Sequence, residues 1–286
     1  MVFLDQIRSA VGPIWHDASN RGERIRWLVK AVGWQAWKRG VRRPLTVKLF
    51  NDLRFRAYPD CTVSSSVFYP KIPNGGHIEF FRSQINGGTL IDVGANVGLV
   101  SMLLADKVSH ALLFEPNPVA ADRARENVRL NRLKFEVHQV ALSDRNGVVT
   151  FEDMGGANPC NRTVTDFPTG APTISVSCFT LDNFLASQSP LPAPITALKI
   201  DVEGHENSVL RGMVGVLRTH RPRVVMFEYL QRTNLAEAFE TFAGCGYRVL
   251  FLGEEGPPKW ASLDVPPLQD LFACPKELGS ELAFAS

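Results

Sequence analysis

The 286-residue sequence predicts an α/β fold: a mostly parallel sheet of seven strands with helices on both faces, preceded by a helix and a β-hairpin. Three observations predict it. From Thr89 onward, short apolar runs alternate with stretches of helical periodicity, the pattern of strand–helix–strand units in a parallel sheet. Runs such as Ala111-Leu112-Leu113-Phe114 are apolar at successive positions, which suits strands covered on both faces. A glycine-rich turn, Gly94-Ala95-Asn96-Val97-Gly98, follows the first run where a strand must hand over to a helix. Composition agrees, since 45% hydrophobic and 21% charged residues exclude a disordered, collagenous or coiled-coil chain.

The elements follow in order. Residues 21–38 read as a helix, with Ile25, Leu28, Val29, Val32 and Ala36 at three- and four-residue steps, closed by Gly40 and Pro44. Residues 46–50 and 53–57 alternate apolar and polar around Asn51-Asp52, a hairpin signal. Pro70, Pro73 and Gly75-Gly76 mark a loop before a short helix around 77–85. The strands of the main sheet are expected at 90–93, 111–115, 135–141, 195–201, 223–228, 247–252 and 270–274. Asn117 and Pro118 open the helix after the second of them, because Asn caps and Pro suits the first turn. Residues 148–151 and 174–181 read as a strand pair around a polar loop, 153–172, of a length that is functional or mobile inside a compact domain.

The turn after the first strand narrows the ligand. A dinucleotide fingerprint would need glycine at Asn96 and Leu99, and neither is glycine. Asp92-Val93-Gly94-Ala95-Asn96-Val97-Gly98 fits instead the Asp-x-Gly-x-(Gly/Asn)-x-Gly motif of proteins that bind S-adenosylmethionine (SAM). A carboxylate such as Asp92 beside the turn favours a sulfonium cation and repels a pyrophosphate. Glu115 ends the next strand 21 residues after Gly94, near the offset at which a carboxylate accepts both ribose hydroxyls. An acid there also favours the dipole of the following helix.

With these strings in hand, the sequence resembles the FkbM-type methyltransferases over about residues 45–275. The resemblance rests on Ile91–Gly98, Phe114-Glu115-Pro116-Asn117-Pro118, Ala141-Leu142-Ser143-Asp144, Thr180-Leu181-Asp182 and Leu198-Lys199-Ile200-Asp201-Val202-Glu203-Gly204-His205-Glu206. It implies a Rossmann-like class I methyltransferase fold, SAM as cofactor, and O-methylation of sugars, glycolipids or secondary metabolites. It also implies that Gly94, Ala95, Asn96, Gly98, Pro116 and Asn117 shape the cofactor site beside Asp92 and Glu115, with Ala141, Leu142 and Ser143 beside the adenine. N-methylation of a peptide or amide, and a SAM-binding protein without catalysis, are the alternatives.

A hydroxyl is a weak nucleophile, so a base or a metal ion would help it. Asp201 and Glu203 end the fourth strand and Glu228 the fifth, at the carboxyl edge where ligands bind. Asp201 and Glu228 are also the candidate ligands of a divalent ion such as Mg²⁺. His205 lies in register with Val209, Met213 and Leu217 on a helix face directed at the sheet, and its ordinary pKa suits base work. Lys199 interrupts an apolar strand and can pair with Glu228 or Asp201. His77 and Glu79 could reach the cofactor or the acceptor. Asn158, Asn161 and Arg162 in the polar loop are donors for a polyhydroxylated acceptor.

Charge divides the chain. Thirty-one Lys and Arg against 29 Asp and Glu leave +2, too balanced for nucleic acid to be the main partner. Residues 1–43 alone net +6 and hold four of the five tryptophans. Residues 1–86 therefore read as an extension that serves as lid, dimer contact or substrate contact, or that lies on an anionic membrane surface. Residues 87–286 form the cofactor domain, with the acceptor loop at about 153–173. Five scattered cysteines, the lack of a signal pattern and the absence of any membrane-spanning apolar run suit the cytoplasm.

Overall fold

The structure, a computed structural model, describes residues 14–15, 20, 22–70, 72–73, 75–152, 172–188, 191–230, 233–253, 258–264 and 269–278. The extension runs α1 (Arg24–Gly40), β1 (Leu45–Lys48), β2 (Arg54–Ala57), α2 (Thr62–Ser66) and α3 (Gly75–Ser83). The chain continues β3 (Thr89–Val93), α4 (Leu99–Leu104), β4 (His110–Phe114), α5 (Pro118–Leu130), β5 (Phe135–His138), β6 (Ala141–Leu142), β7 (Gly147–Glu152), β8 (Thr173–Phe179), α6 (Leu181–Ala186) and β9 (Ile195–Ile200). It closes with α7 (Glu206–Arg211), α8 (Val214–Thr219), β10 (Val224–Tyr229), α9 (Leu235–Gly244), β11 (Tyr247–Phe251), β12 (Lys259–Trp260) and β13 (Gln269–Pro275).

The main sheet has eight strands in the order β12-β11-β13-β10-β9-β3-β4-β5. From β10 to β5 neighbours are parallel, while β13 runs antiparallel to β10 and β11. The eighth strand, two residues of β12 at the edge, is one more than the sequence predicts. The predicted third strand, 135–141, splits. Residues of β5 stay in the main sheet, and β6 joins a separate three-stranded sheet of order β6-β8-β7.

Strand alternation sorts the core into two faces. Ile91, Val93, Leu198, Ile200, Val225 and Phe227 point to the face covered by α6, α7, α8 and α9. Leu90, Ala197, Met226 and Phe272 point to the other, where α4, α5 and the extension lie. On that second face, toward the carboxyl edge of the parallel strands, the alternating positions turn polar: Asp92, Lys199 and Glu228, with Asp270 paired opposite Glu228. Trp34, Phe55 and Phe81 share this core, so the described part of the extension is continuous with the sheet. Trp34 also stacks on Phe68 at 4.1 Å.

Two helices differ from expectation. In α1 the buried residues are Trp27, Ala31 and Trp34, and the apolar stripe that identifies the helix faces out, with Ile25 76% and Val29 67% exposed. The tryptophans won the inward face because they bury more apolar area than the aliphatics. The helix expected to carry His205, Val209, Met213 and Leu217 is broken into α7 and α8. A methyl group on Gly212 would lie 1.9 Å from the Ser143 carbonyl oxygen, so the chain turns there against the next layer. The α8 amides of Gly215 and Val216 donate to the Asp182 carboxylate at 2.8 Å each.

Candidate functional site

The site grows out of the turn after β3. Gly94 has φ +75, and a methyl group there would stand 1.8 Å from the Asp201 carbonyl oxygen, so only glycine lets the loop and the end of β9 approach. Asn96 has φ +50, tolerable for Asn. Its backbone N–H donates to Glu115 Oε2 at 2.8 Å, and that of Asn117 donates to Glu115 Oε1 at 2.8 Å. Burial pushes the Glu115 carboxyl up to about 7, against the pull of these two amides. Asn117 also caps α5, its side chain accepting from Ala120 at 3.0 Å, with Pro118 in the first turn as expected.

Beneath the loop lies an ion cluster. Lys199, 3% exposed, donates from Nζ to the Gly94 carbonyl at 2.7 Å and stands 3.2 Å from Asp201 and 3.5 Å from Asp92. Lys199 and Asp92 are direct partners in the β3–β9 register. Burial opposes the lysine's charge, but Asp201 and Asp92 outweigh it and hold its pKa above the ordinary value. Asp92 is fully buried, and its other oxygen accepts from Ser101 at 2.6 Å. Its carboxylate therefore faces the ion pair and lies outside the walls of both cavities described below, where the sequence placed it beside the ligand. Strand alternation sends it to the α4 side of the sheet.

Two cavities open at the carboxyl edge and share Asp201 and Val63. Gly94, Asn96, Glu115 and Pro116 line the first, together with the apolar side of Val140, Ala141, Leu142 and Phe151. Glu203 and His205 stand on the same wall. Glu203 occupies a left-handed turn at φ +55, which Glu206 pins by accepting the amides of Val202 and Gly204 at 3.2 and 2.9 Å. His205 precedes α7, and its Nε2 lies 2.8 Å from Ser143 Oγ. Ser143 itself is buried behind the wall, as are Ala95 and Gly98.

His77, Lys199, Glu228 and Asp270 line the second cavity, which Ile78 and Leu103 close on the apolar side. His77 Nδ1 is 3.2 Å from Asp270 Oδ2. Glu228 Oε2 is buried and has no hydrogen-bond partner among the described residues. Burial first, then the carboxylates of Asp201, Glu203, Glu206 and Asp270, push Glu228 up to about 8. The structure thus brings Asp201 and Glu228 into one cavity and leaves His205 and Glu203 in the other. Glu79 is exposed on α3. Among the described residues no three His, Cys, Asp or Glu side chains gather to hold a metal ion, and the partner of Asp201 is the Lys199 ammonium. Asn158, Asn161 and Arg162 lie outside the described residues.

Sequence reasoning missed Asp270 as a site residue and left His77 at the margin. A signal existed for Asp270: like Lys199, it is a charged residue in a segment read as an apolar strand. Helix α2, which supplies Val63, carried none. It is five residues of Thr, Val and Ser, capped by Cys61 Sγ accepting from Ser64 at 3.4 Å.

Residues 92–249 match the Methyltransferase FkbM domain. Hexuronic acid methyltransferase AglP of Haloferax volcanii is 32% identical over 131 residues, which are 46% of this chain and 52% of that protein. The chain thus spans about half the length of the curated relative it matches. Methyltransferase FkbM from Methylobacillus flagellatus KT superposes with a TM-score of 0.44 at 13% identity, covering 74% of this chain and 53% of that one. A Pyrococcus abyssi tRNA (uracil-54, C5)-methyltransferase in complex with S-adenosyl-L-homocysteine gives 0.43 at 14% identity, covering 81% and 43%. The domain match runs from Asp92 in β3 to Val249 in β11 and takes in more than half of the sequence, so the chain belongs to the FkbM methyltransferase family.

Proposed function

We propose that this protein transfers the methyl group of SAM to a hydroxyl of a sugar, glycolipid or secondary metabolite. The observation that carries the proposal is the meeting, at Asp201, of a cavity suited to a nucleoside and a second, acid-lined cavity. The residues fit the cofactor. Each Glu115 oxygen takes one backbone amide and keeps a lone pair for a ribose hydroxyl. Val140, Leu142 and Phe151 offer apolar surface to a planar base, and Asp201 brings negative charge to the junction. Bound there, SAM supplies a methyl group already activated on a positively charged sulfur.

The work left to the chain is to orient the acceptor and take up its proton. AglP is named for a hexuronic acid, which supports a sugar as the acceptor class. The polar stretch 153–172, with Asn158, Asn161 and Arg162, is proposed to hold the acceptor's remaining hydroxyls. For the extension, the exposed stripe of Ile25, Val29 and Val32, flanked around the helix by Arg26 and Arg39, supports contact with an anionic bilayer. Salt-sensitive cosedimentation with phosphatidylglycerol vesicles tests that contact.

The protein is to be incubated with SAM and the methyl glycosides of glucose, mannose and glucuronic acid, and the products read by mass. A methyl-adduct mass and S-adenosylhomocysteine are expected. SAM binding without any methylated product would favour the non-catalytic alternative. Calorimetry of Glu115→Ala should show SAM binding weaker by about 1–3 kcal/mol. Unchanged affinity would remove Glu115 from the ribose contact.

A further inference from the structure

We infer that His77 and Asp270 form the proton-accepting dyad of the second cavity, with His77 Nε2 as the base that takes the acceptor's hydroxyl proton. The inference rests on the methyltransferase function proposed above. Its grounds are geometric. His77 comes from the first turn of α3 and Asp270 from the start of β13, 193 residues away, and both line one cavity with Asp201 and Glu228. Nδ1 points at the Asp270 carboxylate at 3.2 Å. A carboxylate there accepts the Nδ1–H, fixes that tautomer and leaves the Nε2 lone pair for a substrate. The ring is held from its side by Phe272, an edge contact at 5.9 Å.

Packing alone does not account for the arrangement. Asp270 stands directly opposite Glu228 across the β10–β13 pair, where two acids are a poor cross-strand match unless one of them holds a proton, as burial makes Glu228 do. The described wall of the cavity sets three carboxylates, Asp201, Glu228 and Asp270, against Lys199 and His77, and Lys199 is already engaged with Asp201 and Asp92. His205 is placed for a different task, since it lies on the first cavity's wall beside Ser143. In the proposed step, the acceptor oxygen forms a bond to the methyl carbon while its O–H bond breaks toward Nε2. The electron pair of the cleaved carbon–sulfur bond stays on sulfur, giving a neutral thioether. The imidazolium that results is stabilised by Asp270.

Nitrogen NMR of the histidine-labelled protein reads the tautomer without any acceptor. The Nδ1–H form is expected for His77, with a shift toward Nε2–H in Asp270→Ala. A wild-type His77 held as Nε2–H would overturn the dyad. With whichever glycoside is methylated, His77→Ala should lose about 10²–10⁴-fold in kcat. SAM affinity should stay within about twofold, and added imidazole should restore part of the rate. His77→Gln and Asp270→Asn serve as second variants, with circular dichroism to check folding. Folded variants of His77 that methylate at the wild-type rate sink the inference while leaving the methyltransferase function standing. Loss of both SAM binding and methylation in the wild type would instead remove that function.

Discussion

Lys199 is the residue on which the turn after β3 depends. It ties the Gly94 carbonyl to two carboxylates, one of them wholly buried. Lys199→Met should cost about 3–5 kcal/mol in urea unfolding, because Asp92 keeps its burial and loses its counter-charge. A cost near zero would mean that the fold does not depend on the Lys199 ammonium beside Asp92. Glu115 and Glu228 make a second prediction through their raised carboxyls, about 7 and about 8. An acid whose folded pKa lies above its unfolded value of ~4.3 favours the folded state while protonated. That stability is complete below the unfolded pKa and is lost as the pH climbs through the folded one. The ligand-free protein's Tm should therefore fall between about pH 5 and about pH 9, and Glu228→Gln should flatten the fall. A variant that keeps the wild-type slope would refute the assignment. At this scale the positions of Glu115, Asp201 and Glu228 were legible because each stands at the carboxyl end of a parallel strand. The direction of Asp92 was not, since a carboxylate in a buried strand takes whichever face its register gives it.

Among the elements, α1 shows how spacing and burial part company. Ile25, Val29 and Val32 share one side of the helix, yet the opposite side, Trp27, Ala31 and Trp34, meets the core. A sequence with apolar residues on two helix faces identifies the helix but not its inward side. Ile25→Ser and Val29→Ser should leave chemical stability within about 0.5 kcal/mol, as exposed substitutions do. Trp34→Ala should cost about 3–5 kcal/mol, since it empties a buried site between Phe68 and Ser65. Equal effects would mean that the stripe is covered in solution. The break between α7 and α8 and the five-residue α2 were invisible for a related reason. Both answer to contacts with distant layers, Ser143 and Asp182 in one case and the packed extension in the other.

For the whole molecule, the shared core of extension and sheet makes a prediction about cooperativity. Trp15, Trp27, Trp34 and Trp37 precede β1, so fluorescence reports mainly on the extension, while far-ultraviolet circular dichroism reports on the whole backbone. The two denaturation curves should coincide. Fluorescence that changes first would show the extension to be a separate folding unit. The sequence by itself determined the parallel sheet, the tight turn at Gly94, the carboxylate at Glu115 and the cap at Asn117. Each depends on residues a few positions apart and on local rules of alternation, backbone sterics and capping. Tertiary structure alone decided that Asp92 turns inward to Lys199, that His205 meets Ser143, and that His77 and Asp270 converge across 193 residues of sequence. Local chemistry cannot specify such pairs, because strand register sets the first, the turn before α7 the second, and the packing of α3 against the sheet the third.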